Sequence, residues 1–291
     1  MTRPTFDLQS HSLHSDGALP AHEVVERAAQ AGVELLALSD HDTVDGVDEA
    51  LEAGKRARIE VVRAVEISAV QAEYEDLHIL GYGIDHHDPH LRAALERFRG
   101  DRAARAHRMK RALEDLGWAI DETVLAKRAA AGKPIGRPHL SQAAFHHPAN
   151  ADRIAAEGFA TFSDLLVAYL IPGRPAYRAR TFPTVQEAID LIHRAGGVAV
   201  WAHPFWDIDA DPAVVETLDR FVGFGIDGVE AFYVAHTREQ TLLLAAECEE
   251  RGLLTTGSSD FHGPDHAHFA AFRAFELHGR EPRLGQIAAS R

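Results

Sequence analysis

Cysteine is nearly absent from this chain of 291 residues, which contains only Cys248. A single cysteine excludes an internal disulfide and a zinc site built on thiolates. No apolar run approaches the ~20 residues that a membrane-spanning helix needs. The first residues, MTRPTFDLQS, also lack the basic and apolar segments of a secretory signal. We therefore expect a cytoplasmic protein that does not bind membranes.

Positive charge is also scarce. The chain has 30 lysines and arginines against 44 aspartates and glutamates, which gives a formal net charge of −14. Tight binding to long nucleic acid depends on many basic side chains that neutralise phosphates, so this balance argues against that class of protein. It is compatible with a small anionic substrate in a locally positive pocket. We infer no obligatory protein partner.

Short apolar runs alternate with amphipathic helical patterns along most of the chain. They predict strands at 6–8, 34–38, 60–65, 77–82, 198–201, 228–232 and 253–256, and helices at 21–31, 47–57, 185–195, 213–224 and 238–251. This alternation is typical of an α/β fold with a mainly parallel sheet, open or closed into a barrel. It lapses at 89–175, which we interpret as a helical insertion between barrel segments 1–88 and 176–291.

Histidine is unusually frequent, with 19 residues, and several of them lie beside acidic residues at the ends of predicted strands. Because the carboxyl ends of barrel strands converge on one mouth, these side chains are expected to become neighbours there. Imidazole and carboxylate without thiolate suit manganese, zinc or iron. About eight candidate ligands exceed the four of a tetrahedral ion, so we predict two or three divalent ions, with Glu66 bridging them.

The sequence around these positions resembles the PHP (polymerase and histidinol phosphatase) family. The resemblance rests on FDLQSHS at 6–12, SDG at 15–17, LSDHDT at 38–43, EIS at 66–68, HILGY at 78–82, AHP at 202–204 and GSSDFH at 257–262. It implies a distorted seven-stranded (β/α) barrel with a helical insertion domain. The metal ligands that it implies are His11, Asp16, His41, Glu66, His78, His203, Asp260 and His262.

One position departs from the family pattern. The first histidine of the family's His-x-His pair falls on Gln9, whose neutral amide oxygen is a much poorer ligand than imidazole. We therefore expect one metal position to be weak, vacant or differently bound, with His14 as a candidate substitute.

The resemblance also implies where the substrate binds. Related nucleotide phosphatases cap the barrel mouth with the insertion and draw basic residues from it. The matching candidates here are Arg99, Arg102, Arg137, His139 and Arg174. Arg137 and His139 begin a predicted helix, where anions are favoured, whereas Arg99 and Arg102 equally fit a solvated helix face. We predict Glu66, Asp260 and His236 as catalytic residues, although a structural role for His236 is an equal alternative.

Within the family the chain is most similar to stand-alone phosphoesterases, which predicts that it removes the 3′-phosphate of nucleoside 3′,5′-bisphosphates by attack of a metal-bridging hydroxide. One alternative is 5′→3′ hydrolysis of short 5′-phosphorylated RNA. A second is C–N bond hydrolysis, but no lysine ends a predicted strand to serve as a carbamylated bridge. A third is a catalytically silent module of the same family that binds a partner.

Overall fold

The computed structural model of the protein describes residues 4–72, 74–130, 135–180 and 182–288. These residues divide into two compact units. The first, called the barrel unit, contains the described residues up to Glu96 and from Pro183 onward, and the second comprises Arg97–Phe182. Among the described helices, none combines the length and the apolar character that crossing a bilayer requires.

A seven-stranded sheet forms the centre of the barrel unit, and its strand order follows the chain order. The strands are β1 (Phe6–Asp7), β2 (Leu35–Leu38), β3 (Glu60–Gln71), β4 (Tyr74–Tyr82), β5 (Val198–Trp201), β6 (Gly228–Tyr233) and β7 (Leu254–Ser258). Neighbouring strands are parallel except at β4, which is antiparallel to β3 and β5. The backbone N–H of Leu8 donates to the carbonyl of Gly257 at 3.1 Å, so the sheet nearly closes. The predicted seven-stranded α/β barrel is confirmed.

The third strand is longer than its sequence pattern predicts. Glu66 was expected just past its end, but β3 continues to Gln71 and pairs Glu66 with Leu80 of β4. Glu66 and Ser68 interrupt the apolar run, yet both are fully buried, because this part of the strand faces other polar side chains. The expectation that Glu66 follows the strand was therefore wrong: it lies within it.

Helices fill the connections between strands. They are α1 (Ala21–Gln30), α2 (Val47–Ala57), α3 (Pro89–Asp115), α4 (Glu122–Ala130), α5 (Arg137–Phe145), α6 (Ala151–Glu157), α7 (Phe162–Tyr169), α8 (Val185–Arg194), α9 (Pro204–Asp207), α10 (Asp211–Phe224) and α11 (Arg238–Arg251), with 3-10 turns at Pro148–Asn150 and Gly285–Ile287. Glycines at 225 and 252 follow α10 and α11 in the left-handed conformation and end these helices.

Helix α8 shows how the sequence produces this packing. The hydroxyl of Thr184 accepts the N–H of Glu187, and the Glu187 carboxylate accepts the N–H of Thr184, which satisfies two free donors at the helix start. The buried residues Ala188, Ile189 and Ile192 follow helical spacing. A Cβ on Gly81 of β4 would lie 2.8 Å from Ile192, so only glycine allows α8 to approach the strand that carries His78.

The second unit has its own apolar core. Its fully buried members include Leu113 of α3, Leu140 of α5 and Leu165 of α7, which pack around Trp118. The guanidinium of Arg153 lies 4.1 Å from the centre of the Trp118 ring. The described part of this unit, from α3 to α7, contains helices and no strand, which gives it a different architecture from the barrel unit.

Candidate metal centre

The structure brings all eight predicted ligands together in the barrel unit. His11 and Asp16 lie in the loop after β1, His41 follows β2, Glu66 lies within β3, His78 lies within β4, His203 follows β5, and Asp260 and His262 follow β7. Their assignment as ligands stays a prediction, but their placement makes one connected cluster of nitrogen and oxygen atoms.

Glu66 is the centre of this cluster, and its two carboxylate oxygens face different imidazoles. Oε1 lies 2.8 Å from Nδ1 of His78 and 3.2 Å from Nε2 of His203. Oε2 lies 3.1 Å from Nε2 of His11 and 3.6 Å from Nδ1 of His41. The carboxylate is fully buried. One carboxylate between two sets of nitrogen donors is the arrangement that bridges two cations.

Asp16 and Asp260 extend the cluster on the side of His11. Asp16 lies 3.6 Å from Nε2 of His41 and 3.4 Å from Nε2 of His262, and Asp260 Oδ1 lies 3.0 Å from Nε2 of His11. Ligand atoms of His11, Asp16, His41 and His262 all lie within 4.8 Å of one another, as do those of His41, Glu66 and His78. These two groups of potential ligands overlap at His41.

The chemistry of these atoms fits divalent cations. Both ring nitrogens of His11, Nδ1 of His41 and Oδ1 of Asp260 are buried and have no hydrogen-bond partner of good geometry. Buried polar atoms are normally satisfied, and here the unsatisfied ones converge on the same space. A donor set of imidazoles and carboxylates without thiolate suits manganese, zinc and iron.

The electrostatics of the cluster keep its carboxylates ionised. Burial opposes the charge on Glu66, but His41 and His78 outweigh it and hold the pKa of Glu66 well below its usual value. Burial likewise opposes the charge on His203, but Glu66 raises its pKa to about 9. Burial dominates at His41 and lowers its pKa to about 4. Ionised carboxylates and neutral imidazoles are the forms that bind metal ions, so a cation that binds here would displace the proton of His203.

Three of the seven non-glycine residues that have positive φ in the described part of the chain lie at this centre. His203, Asp260 and Asp42 adopt φ values of 30°, 51° and 53°, in the left-handed region that residues with a side chain rarely occupy. Asp42 is held there because its carboxylate accepts the N–H of Ser68 at 3.0 Å. Such strain persists only where the surrounding structure imposes it, and it is common at functional sites.

Three residues that support the cluster were not predicted. The hydroxyl of Tyr233 donates to Oδ2 of Asp260 at 2.9 Å, and Glu230 accepts the backbone N–H of His203 at 3.0 Å. Asp40 accepts hydrogen bonds from the N–H and hydroxyl of Ser12 and from the hydroxyl of Ser15. Asp40 thereby fixes the loop that carries His11 and Asp16. A glutamate inside an apolar strand is a signal that could have indicated Glu230, because buried carboxylates need partners.

Gln9 lies inside the cluster, where the family pattern has histidine. Its Nε2 donates to Oε2 of Glu66 at 2.9 Å, and its Oε1 accepts a hydrogen bond of 3.3 Å from Ser258. The amide therefore presents a donor, not a ligand oxygen, to the central carboxylate. The side chain of His14 is exposed, its Nε2 lies 4.0 Å from Glu49, and neither group of potential ligands includes it, so this geometry does not support His14 as a substitute for a histidine at position 9.

His236 lies beside the cluster. Its Nδ1 is 3.2 Å from the carbonyl of Ala231, and its ring packs against Phe205 and Tyr233. Burial lowers the pKa of His236 to about 4, so its imidazole is neutral at neutral pH. A neutral ring whose Nδ1–H donates to the Ala231 carbonyl has no proton to give from Nε2. The catalytic role of His236 stays a prediction, and in this form its Nε2 can only accept a proton.

The five predicted substrate-binding residues all belong to the second unit. Arg99 and Arg102 lie on α3, Arg137 and His139 form the first turn of α5, and Arg174 follows α7. Nδ1 of His139 accepts the N–H of Gly136 at 3.0 Å, and burial lowers the pKa of His139 to about 4. His139 thus caps its own helix in neutral form. The substrate-binding roles of these residues stay predictions.

Comparison with known proteins agrees with this geometry. The PHP domain family profile matches residues 7–133. A 5′-3′ exoribonuclease from Haemophilus influenzae is 33% identical over 259 residues, covering 89% of this chain and 90% of its own length. A 3′,5′-nucleoside bisphosphate phosphatase from Chromobacterium violaceum is 33% identical over 260 residues, which cover 89% of this chain and 87% of that protein. The solved structure of an amidohydrolase from Chromobacterium violaceum, with bound sulfate and no metal, is also similar to this protein. The two superpose with a TM-score of 0.78 and are 29% identical, and the match covers 99% of this chain and 97% of the other.

Proposed function

We propose that this chain, which belongs to the PHP domain family, is a metal-dependent phosphoesterase that removes the 3′-phosphate of nucleoside 3′,5′-bisphosphates. The observation that carries the proposal is the buried carboxylate of Glu66, whose two oxygens face imidazoles from four separate segments. The similarity to a nucleoside bisphosphate phosphatase over most of both chains supports the choice of substrate.

Two divalent cations, or three if Gln9 leaves room for another, would withdraw charge from the phosphoryl oxygens and supply an activated water, and manganese is our first candidate. His78 and His203 would hold one ion with Glu66. His11, Asp16, His41 and His262 would hold another. The hydroxyl of Tyr233 would orient the carboxylate of Asp260 as a metal ligand.

The chain's own residues contribute position and charge. Asp40 fixes the loop of His11 and Asp16, so the geometry of those ligands is set before substrate arrives. Arginines of the second unit, with Arg137 first among them, would bind the phosphate that is not hydrolysed, because the planar guanidinium donates two parallel hydrogen bonds to phosphate oxygens.

The second candidate is 5′→3′ hydrolysis of short 5′-phosphorylated RNA. The 5′-3′ exoribonuclease from Haemophilus influenzae, which is as similar to this chain as the phosphatase at 33% identity, favours this reaction. The several arginines of α3 favour it as well. Both reactions place a phosphate ester at the same cation centre, so they differ in the size of the leaving group and not in the chemistry of the ligands.

The deciding experiment measures phosphate and nucleotide release from adenosine 3′,5′-bisphosphate and from 5′-phosphorylated di- and trinucleotides, after chelation and with manganese added back. We expect faster turnover of the bisphosphate. Glu66→Gln should lower kcat by more than about 100-fold, because even groups that only support metal ligands contribute 10–100-fold. The matched variant Glu249→Gln, at an exposed position of α11, should retain full activity.

Each outcome has a distinct meaning. Release from oligonucleotides alone would replace the proposal with the exoribonuclease. No release from any substrate at any manganese concentration would indicate a catalytically silent binding module.

A further inference from the structure

Trp206 is an exposed aromatic residue beside the metal centre. It retains 51% of its accessible surface, whereas Trp118 and Trp201 retain 2% and 0%. The other large apolar side chains that are exposed among the described residues are aliphatic: Leu13, Leu116, Val124, Val167 and Val222. An exposed tryptophan leaves a large apolar area in water, and this one lies beside the candidate metal centre, where a bound ligand can cover it.

The position of Trp206 is fixed relative to the predicted ligands. It lies in the short helix α9, which begins directly after His203, and its backbone N–H donates to the carbonyl of His203 at 2.8 Å. The next residue, Asp207, has a carboxylate oxygen 3.8 Å from Nδ1 of His203. The indole is therefore tied to a predicted ligand by adjacent contacts and does not lie on a separate loop.

Aromatic rings connect Trp206 to the centre of the cluster. Its ring centroid lies 5.4 Å from that of Phe269, and Phe269 lies 5.4 Å from the imidazole of His262. On another side it lies 6.4 Å from Tyr233, whose hydroxyl binds Asp260. We call Trp206, Phe269 and Tyr233 the aromatic platform; it begins at the predicted ligands and ends at an exposed indole.

We propose that Trp206 binds the nucleobase of the substrate by stacking, while the metal centre binds the phosphate to be hydrolysed. This inference rests on the proposed function and specifies the class of substrate as nucleotides that carry a base. Every base has an aromatic face, and stacking on an aromatic side chain stabilises binding without reading hydrogen-bond patterns. The platform therefore selects for the presence of a base and discriminates little between bases.

The first test compares two substrates that differ only in the base: adenosine 3′,5′-bisphosphate and the corresponding 1-O-methylribose 3,5-bisphosphate. In Trp206→Ala, the ratio of kcat/KM for the nucleotide to kcat/KM for the abasic compound should fall by about 5- to 140-fold, the effect of one lost base stack. The loss should lie in KM. Trp206→Phe should restore most of the ratio, and Val222→Ala, which truncates another exposed apolar side chain, should leave it unchanged.

The second test does not depend on hydrolysis. Adenosine 5′-monophosphate should quench the tryptophan fluorescence of the metal-loaded protein, ribose 5-phosphate should not, and the quench should disappear in Trp206→Phe. An unchanged substrate ratio in Trp206→Ala, or a quench that persists in Trp206→Phe, would overturn the platform while leaving the phosphatase assignment intact. A quench that depends on Trp206 without bisphosphate hydrolysis would keep the base site and reject the proposed reaction.

Discussion

Replacing Gln9 with glutamate is the sharpest test of the charge arrangement around Glu66. The substitution keeps the shape of the side chain but changes its Nε2 donor, 2.9 Å from Oε2 of Glu66, into a carboxylate oxygen. Both side chains are buried, with 1% and 0% of their surface exposed. Two carboxylates at that distance cannot both ionise unless a cation lies between them. The variant should therefore depend on metal ions more strongly than the natural sequence does.

The magnitude follows from the contact that is lost. A hydrogen bond to a charged group contributes about 1.5–3 kcal/mol, and a buried charge without a partner costs about 3–5 kcal/mol. In the presence of a chelator we expect the free energy of unfolding of Gln9→Glu to fall by about 3–5 kcal/mol, which lowers the melting temperature by roughly 6–20 °C in a protein of this size. With manganese the loss should shrink or reverse, because the new oxygen is an anionic ligand.

Thermal unfolding followed by circular dichroism, with chelator and with manganese, measures both quantities. Metal analysis of the same samples gives the number of ions per chain, which should not fall in the variant. Gln186→Glu makes the same chemical change at an exposed position of α8 and should shift the melting temperature little in either buffer. An equal loss of stability with and without manganese would refute the reasoning, because it would mean that no cation lies near position 9.

Three further predictions follow from the site and the core. Chelation should lower the melting temperature of the natural protein, and added manganese should raise that temperature progressively with the free ion concentration. Scanning calorimetry measures this dependence. A melting temperature independent of manganese would contradict a metal-binding cluster. Tyr233→Phe removes the hydrogen bond to Asp260 and should lower kcat/KM or cation affinity by about 10- to 100-fold. Steady-state kinetics and metal titration measure these two quantities. If both were unchanged, Tyr233 would have no supporting role at the metal centre. Burial raises the pKa of the Cys248 thiol to about 12. The folded protein should therefore resist alkylation at pH 8, and Cys248 should react only when denaturant unfolds the chain. Rapid labelling of the native protein would contradict the burial of this thiol.

Local patterns in the sequence were sufficient to predict most of the fold. The observed bounds of α2, α11 and β5 equal those expected from the sequence, because apolar residues recur at helical spacing through α2 and α11 and β5 is apolar throughout. The end of β3 was not predictable in this way. Polar residues such as Glu66 and Ser68 face the barrel interior, and hydropathy alone cannot distinguish a buried polar residue from the start of a loop.

The candidate site was predictable in its residue types and not in its supporting contacts. Histidines and carboxylates next to strands carry a recognisable signal, and the structure gathers all eight of them. The hydrogen bonds of Asp40, Glu230 and Tyr233 depend on which strands become neighbours, which a linear pattern does not contain. The direction of the Gln9 amide was likewise inaccessible, since it is set by Ser258 on the last strand.

The seam of the barrel has a consequence for biosynthesis. Asp7 on the first strand accepts the backbone N–H groups of Ser259 and Arg273, and Asp260 and His262 follow the last strand. During translation, six of the eight predicted ligands are therefore synthesised before the residues that close the sheet. On the proposed assignment, the ion that needs His262 can be bound only after this last part of the chain is translated, and a prematurely terminated chain would leave the other histidines exposed to whatever metal is most abundant.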